Sequence, residues 1–145
     1  MIPALRDKVE RLQDEMLKLP QAELVTNHYF ADGMYAREVY RPAGCLIVGR
    51  VHKKEHFYIV TKGRIRVTTD DGVKEFVAPA VLISKPGTKR AVLALEDSVC
   101  MTVHRTMKKS LKNVERELVE PEPASPYGLG NKLKEIECHS SLLRS

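Results

Sequence analysis

Tryptophan is absent from these 145 residues and phenylalanine occurs only three times, which removes the aromatic platforms on which unpaired bases stack. Cysteine is scarce too. Cys45, Cys100 and Cys138 are widely spaced, with no CxxC pair, so neither a disulfide framework nor a zinc ribbon is available and free thiols in a reducing compartment are expected. No apolar run approaches the ~20 residues of a membrane span, and the first residues read as a charged amphipathic segment rather than a signal peptide. The expectation is a soluble cytoplasmic chain. Glycine-rich phosphate loops, GxSxG elbows and HExxH helices are missing as well. Lysine and arginine number 24 against 19 acidic residues, a formal charge of +5, and so small an excess argues against nucleic acid as a partner.

What is present fits one domain with a core of its own. Leu5, Val9, Leu12, Met16 and Leu19 step by four, three, four and three up to Pro20, predicting an amphipathic helix within residues 1–20. Its narrow seam either packs on the outside of the domain or meets a second copy. From Glu23 to Thr106 the chain turns into short β-rich runs. Turn signals at Ala31-Asp32-Gly33, Pro42-Ala43-Gly44, Lys62-Gly63, Asp70-Asp71-Gly72 and Lys85-Pro86-Gly87 separate them, and Glu96-Asp97 is expected to close a hairpin. At least eight strands fit within residues 21–106, the count of a small barrel or jelly roll. Residues 107–145 then read as a short helix (SLKNVERELVE), a Pro-rich linker (PEPASPYG) and a tail. Open sheet edges and the helix seam point to a homodimer.

The stretch GRVHKKEHFYIVTKG carries the chemistry. In an extended strand His52 and His56 fall on one face with Tyr58 and Val60, while Lys53, Glu55, Phe57 and Ile59 face the other way. Neutral imidazole is the commonest metal ligand. His104, in the run CMTVHRT, is the third candidate, and its facing depends on the loop at Glu96-Asp97: a two-residue turn and a three-residue loop put it on opposite faces, and both stay open. Glu55 could join only through a bulge at Lys53-Lys54. Tyr58 is either a half-buried core tyrosine or a donor to a ligand. His28 and His139 lack partners at ligand spacing.

Counted back from Gly63, six residues lead to His56, three more to His52, and Arg50 lies beyond. With Pro86-Gly87 and Arg90, this string from about Tyr35 to Thr106 resembles the single-domain cupins, whose motifs are G-x5-H-x-H-x(3,4)-E-x6-G and G-x5-P-x-G-x2-H-x3-N. The resemblance puts His56 at the family's glutamate position and His52 at its second histidine. Arg50 and Arg90 stand at the two remaining histidine positions. It implies an all-β, cupin-type jelly-roll barrel with an N-terminal helix and a short C-terminal helix and tail. The strings IVTKGRIRVTTDDG, SKPGTKRA and TVHRT are also similar to small cupin-like proteins encoded by tailed bacteriophages.

Arginine offers only donors and stays charged, so Arg50 and Arg90 are anion clamps rather than metal ligands. Two functions follow as expectations. One is a metal-binding cupin with a divalent ion (Fe, Mn, Ni or Zn) on His52, His56 and His104, and with Arg50, Arg90 and Tyr58 binding an anionic small molecule, as in an oxygenase or isomerase. The other is a metal-free binding or structural module, such as a phage particle component, found in the virion or the host cytoplasm.

Overall fold

The computed structural model describes residues 2–19, 21, 23–123, 125 and 127–131; Cys138, His139 and the rest of the tail lie outside the described residues. Apolar and polar side chains alternate through the strands β1 (Thr26–Ala31), β2 (Met34–Arg41), β3 (Leu46–Val48), β4 (His56–Lys62), β5 (Arg64–Thr69), β6 (Gly72–Val77), β7 (Ala80–Ser84), β8 (Ala91–Ala94) and β9 (Ser98–Arg105). They build two antiparallel sheets, β1-β2-β9-β4-β7 and β3-β8-β5-β6, arranged as a jelly-roll barrel. Inward-facing side chains of both sheets make the core: Tyr58, Val60 and Cys100 from the first meet Ile65, Val67 and Val92 from the second. Apolar burial of this kind is the main stabilising term.

Gly63 makes the turn between β4 and β5 possible. Its φ is 83°, and a Cβ there would overlap Ser98, whose hydroxyl accepts from the Arg64 amide at 3.1 Å. Only glycine fits.

The expected hairpin at Glu96-Asp97 does not form. Strands β8 and β9 belong to different sheets, so this loop carries the chain from one sheet to the other. The facing of His104 is set instead by β2, where it pairs with Tyr35. The N-terminal helix, α1 (Pro3–Met16), ends before Leu19. Its seam packs on its own barrel, with Val9 2% exposed among Leu5, Leu12, Met16, Leu46, Val48 and Ala91, which leaves that seam unavailable to a second copy.

Helix α2 (Leu111–Leu118) is capped by Ser110, whose hydroxyl accepts from the Asn113 amide at 3.3 Å, and it buries Val114 and Leu118 against Tyr35. The Pro-rich stretch after it does not run free. It lies along the barrel as a strap: the Glu120 amide donates to the Val51 carbonyl at 2.9 Å, Lys89 is buried in an ion pair with Glu122, and Ser125 and Tyr127 are buried. A 3-10 turn, Leu129–Asn131, follows. Among the described residues no helix is long and apolar enough to cross a membrane.

Candidate functional site

His52 and His56 meet, though not by strand alternation. β4 begins only at His56; His52 lies before it, bridged to Val119, and the chain bends at Lys53 and Lys54. The bend brings the two rings to 4.5 Å between centroids. From β9, His104 reaches the same point, 4.4 Å from the His56 ring and 5.2 Å from that of His52. One ligand nitrogen from each histidine lies within 4.8 Å of the others.

The surroundings keep these rings neutral. Burial, then the neighbouring His56 and Arg37, pull the pKa of His52 down to about 3; burial, His56 and His52 take His104 down to about 2. Burial lowers His56 as well. A neutral imidazole keeps a lone pair to offer. His56 Nδ1 lies 3.1 Å from the Lys54 carbonyl, which can only accept, so Nδ1 carries the proton and Nε2 is bare. His52 is likewise held by the Arg50 backbone, and His104 Nε2 meets the Thr102 hydroxyl at 2.8 Å. Such outer contacts fix the ring orientation of metal-binding histidines. Three imidazoles with nothing charged between them form a donor set that fits a divalent transition metal.

His52 and His56 line a cavity of about 110 Å³ that continues into the barrel. Arg50 and Arg90 both line it. Arg50 Nη2 donates to the Glu120 carbonyl at 2.8 Å, while its Nε is buried with no partner. The Arg90 guanidinium lies 5.6 Å from the centre of the Tyr58 ring and leaves a buried Nη1 unpartnered. Tyr58 points inward; burial raises its pKa, so the phenol stays protonated. Its hydroxyl has no hydrogen-bond partner beyond the weakly accepting thiol of Cys100 beside it.

Glu55 is no ligand. It is exposed and paired with Lys85 at 2.6 Å. Several other basic residues near strand ends are also engaged outside the cavity: Lys54 with Glu117, Arg64 and Arg66 with Glu75, and Lys89 with Glu122. His28 contacts the Tyr35 hydroxyl at 2.7 Å and takes no part in the cluster.

Two further arginines line the cavity, Arg37 and Arg41, both missed in the sequence. Alternation could have found them: β2 buries Tyr35 and Val39, which puts Arg37 and Arg41 on the same face. Arg37 is neutralised by Glu115 at 2.6 Å. Arg41 Nε and Nη1 are buried without partners.

No family model and no curated protein matches the chain. Solved structures do. A cupin superfamily protein from Desulfitobacterium hafniense aligns at a TM-score of 0.50 with 14% identity, over 62% of this chain and 86% of that one. The cupin domain of an XRE-family transcriptional regulator from Enterobacter cloacae gives 0.51 at 9% identity, over 60% and 100%. An acetylacetone dioxygenase from Acinetobacter johnsonii gives 0.50 at 16%, over 60% and 66%. At such identities the likeness defines the fold: this is a cupin-type jelly roll. Activity is a separate matter, because one fold hosts many chemistries.

Proposed function

We propose that the chain is a metal-binding cupin whose barrel holds one divalent ion on His52, His56 and His104 and an anionic small molecule beside it. The observation that carries this reading is the convergence of three neutral imidazoles, with ligand atoms within 4.8 Å of one another, two of them at the cavity wall. Iron, manganese, nickel and zinc all accept such a set. A bound ion would supply Lewis-acid activation of an oxygen ligand, the chemistry of an oxygenase or isomerase. The chain's own groups bind and orient the acid: Arg50 and Arg90 by their free N–H groups, and Tyr58 as a hydroxyl donor. We further propose that the protein works as a homodimer.

Metal content tests the reading. Purified without added metal and then loaded with iron, manganese, nickel or zinc in turn, the full chain is expected to hold one ion, and His52→Ala and His56→Ala to lose at least 90% of it. A folded wild-type chain that retains none of the four overturns the proposal. That result favours the second reading, a metal-free binding or phage-particle module, which draws support from the two arginines at family ligand positions. Finding the protein in purified particles would establish it.

A further inference from the structure

Among the described residues, four arginines line the cavity and no aspartate or glutamate does. Arg37 is matched by Glu115. For the other three, the described residues supply no carboxylate inside the barrel; Asp70, which acts on Arg90, is exposed in the β5–β6 turn. Buried guanidinium N–H groups left over are Nε and Nη1 of Arg41, Nε of Arg50 and Nη1 of Arg90. Buried charge is costly unless paired and hydrogen-bonded. Three such groups around one small space define a receptor for negative charge.

Their placement says what shape that charge has. Across the first sheet, inward-facing residues form rows: Tyr35 with His104, Arg37 with Thr102 and Tyr58, Val39 with Cys100 and Val60, and Arg41 with Ser98. Arg41 is therefore rooted three rows from His104, at the far end of the barrel, roughly 20 Å away along the strand at ~3.3 Å per residue. Its guanidinium turns back to act on Tyr58 and Cys100, where Arg90 also stands over the Tyr58 ring. Arg50 is at the opposite end, next to His52 and tied to the strap through Glu120. Two uncompensated guanidiniums at Tyr58 and a third beside His52 call for more negative charge than one carboxylate carries.

We infer that the cavity takes a small organic dianion, with one carboxylate held by Arg41, Arg90 and the Tyr58 hydroxyl and the other beside Arg50 and the histidine cluster. The inference deepens the proposed anion site but does not depend on the metal. The volume of about 110 Å³ restricts the ligand to a short, compact acid. Arg41 is the residue that distinguishes two ends from one.

The test is calorimetric titration of the full chain, stripped of metal with EDTA, at low ionic strength. The probes are malonate, succinate, glutarate, acetate and inorganic phosphate. At least one dicarboxylate is expected to bind one to one and tenfold or more tighter than acetate or phosphate. Arg41→Gln is expected to bring it down to the level of acetate, and Arg41→Lys to recover only part. The comparison of dicarboxylates with acetate uses wild-type protein alone, so it stands even if the Arg41 variants do not fold. Dicarboxylates binding no tighter than acetate or phosphate, or an unchanged affinity in folded Arg41→Gln, would overturn the inference. A chain that holds metal but no dicarboxylate sinks this inference alone; one that binds dicarboxylate but no metal sinks the metal reading alone.

Discussion

At the scale of single residues, the site is a problem of like charges. Three imidazoles in ring contact, two of them on a cavity wall that also carries four guanidiniums, can stay together only while they are neutral. The consequence for stability has a definite sign. In the unfolded chain a histidine takes up its proton near 6.5, whereas folded His52 does so only at about 3. Between those values the unfolded state binds more protons, so stability is fully present above pH 6.5 and is lost as pH falls through the window. His104, at about 2, and His56, also lowered, act in the same direction. The melting temperature of the metal-free chain should thus fall steadily from pH 6.5 to about 5, above the range where most carboxylates titrate. His52→Gln should flatten that slope; equal slopes would contradict the assignment. Arg37 offers a second measurement. Its partner Glu115 is 11% exposed and also accepts from the Gly130 amide at 2.9 Å, so Glu115→Gln strands a buried cation at a cost of roughly 3–5 kcal/mol, readable by urea unfolding. Spacing drew attention to His52, His56 and Tyr58 in the sequence, and the motif resemblance to Arg50 and Arg90; the structure places all five at the cavity. The inward facing of His104 was not, because it is fixed by pairing with Tyr35 some seventy positions away, and Arg41 went unread although the alternation of β2 marks it.

Whole elements show where local pattern suffices and where it does not. Periodicity located α1, α2 and the strand-rich middle, because each buries one face against the barrel and that face repeats in the sequence. Turn residues located Gly63: its Ala variant combines a left-handed backbone, worth roughly 1–3 kcal/mol, with overlap onto Ser98. Gly63→Ala is expected to lose at least that much by urea unfolding, and a neutral result would mean the β4–β5 turn is misplaced. The crossing at Glu96-Asp97 was not legible, since a loop that changes sheets and one that closes a hairpin carry the same short polar signal. The strap was hidden by its composition. Proline-rich sequence reads as linker, and the anchors that hold it, Glu122 on Lys89 together with buried Ser125 and Tyr127, have no period. Because Val119, Ser125, Tyr127 and Asn131 line the cavity, the strap forms part of its wall. Lys89→Met removes the partner of a carboxylate whose other oxygen is already unpartnered. Hydrogen exchange in residues 119–131 should then rise at least tenfold while β4 and β9 keep their protection; unchanged exchange would show that the ion pair does not hold the strap.

For the whole molecule, the remaining question is which surface a second copy would use. The α1 seam is occupied by the barrel, and α1 covers β3 through Leu46 and Val48. Edge strand β6 carries Lys74 and Glu75, charges that keep an edge open to water. Edge strand β1 is uncharged, but Asn131 of the 3-10 turn donates to its Thr26 hydroxyl at 3.4 Å, and edge strand β7 is left. Its sequence, AVLIS, is uncharged, it pairs only with β4 among the described strands, and its outward residues Val81 and Ile83 are 64% and 54% exposed beside Phe57 at 50%. An uncharged edge with unpaired backbone groups, next to an apolar patch, invites the same strand from another molecule, and a two-fold axis between antiparallel β7 strands lets each satisfy the other. Light scattering at micromolar concentration should give twice the chain mass of 16.4 kDa. The double substitution Val81→Lys with Ile83→Lys, both outward and clear of the core, should return the mass to that of one chain while the melting profile of the barrel persists. Wild-type protein at the mass of one chain would exclude this edge as an interface, and a dimer indifferent to both lysines would move the interface elsewhere. Because β7 pairs with β4 on the side away from β9, a dimer built this way leaves the histidine cluster of each barrel to its own chain, so metal stoichiometry should stay at one per chain in both the dimer and its lysine variant.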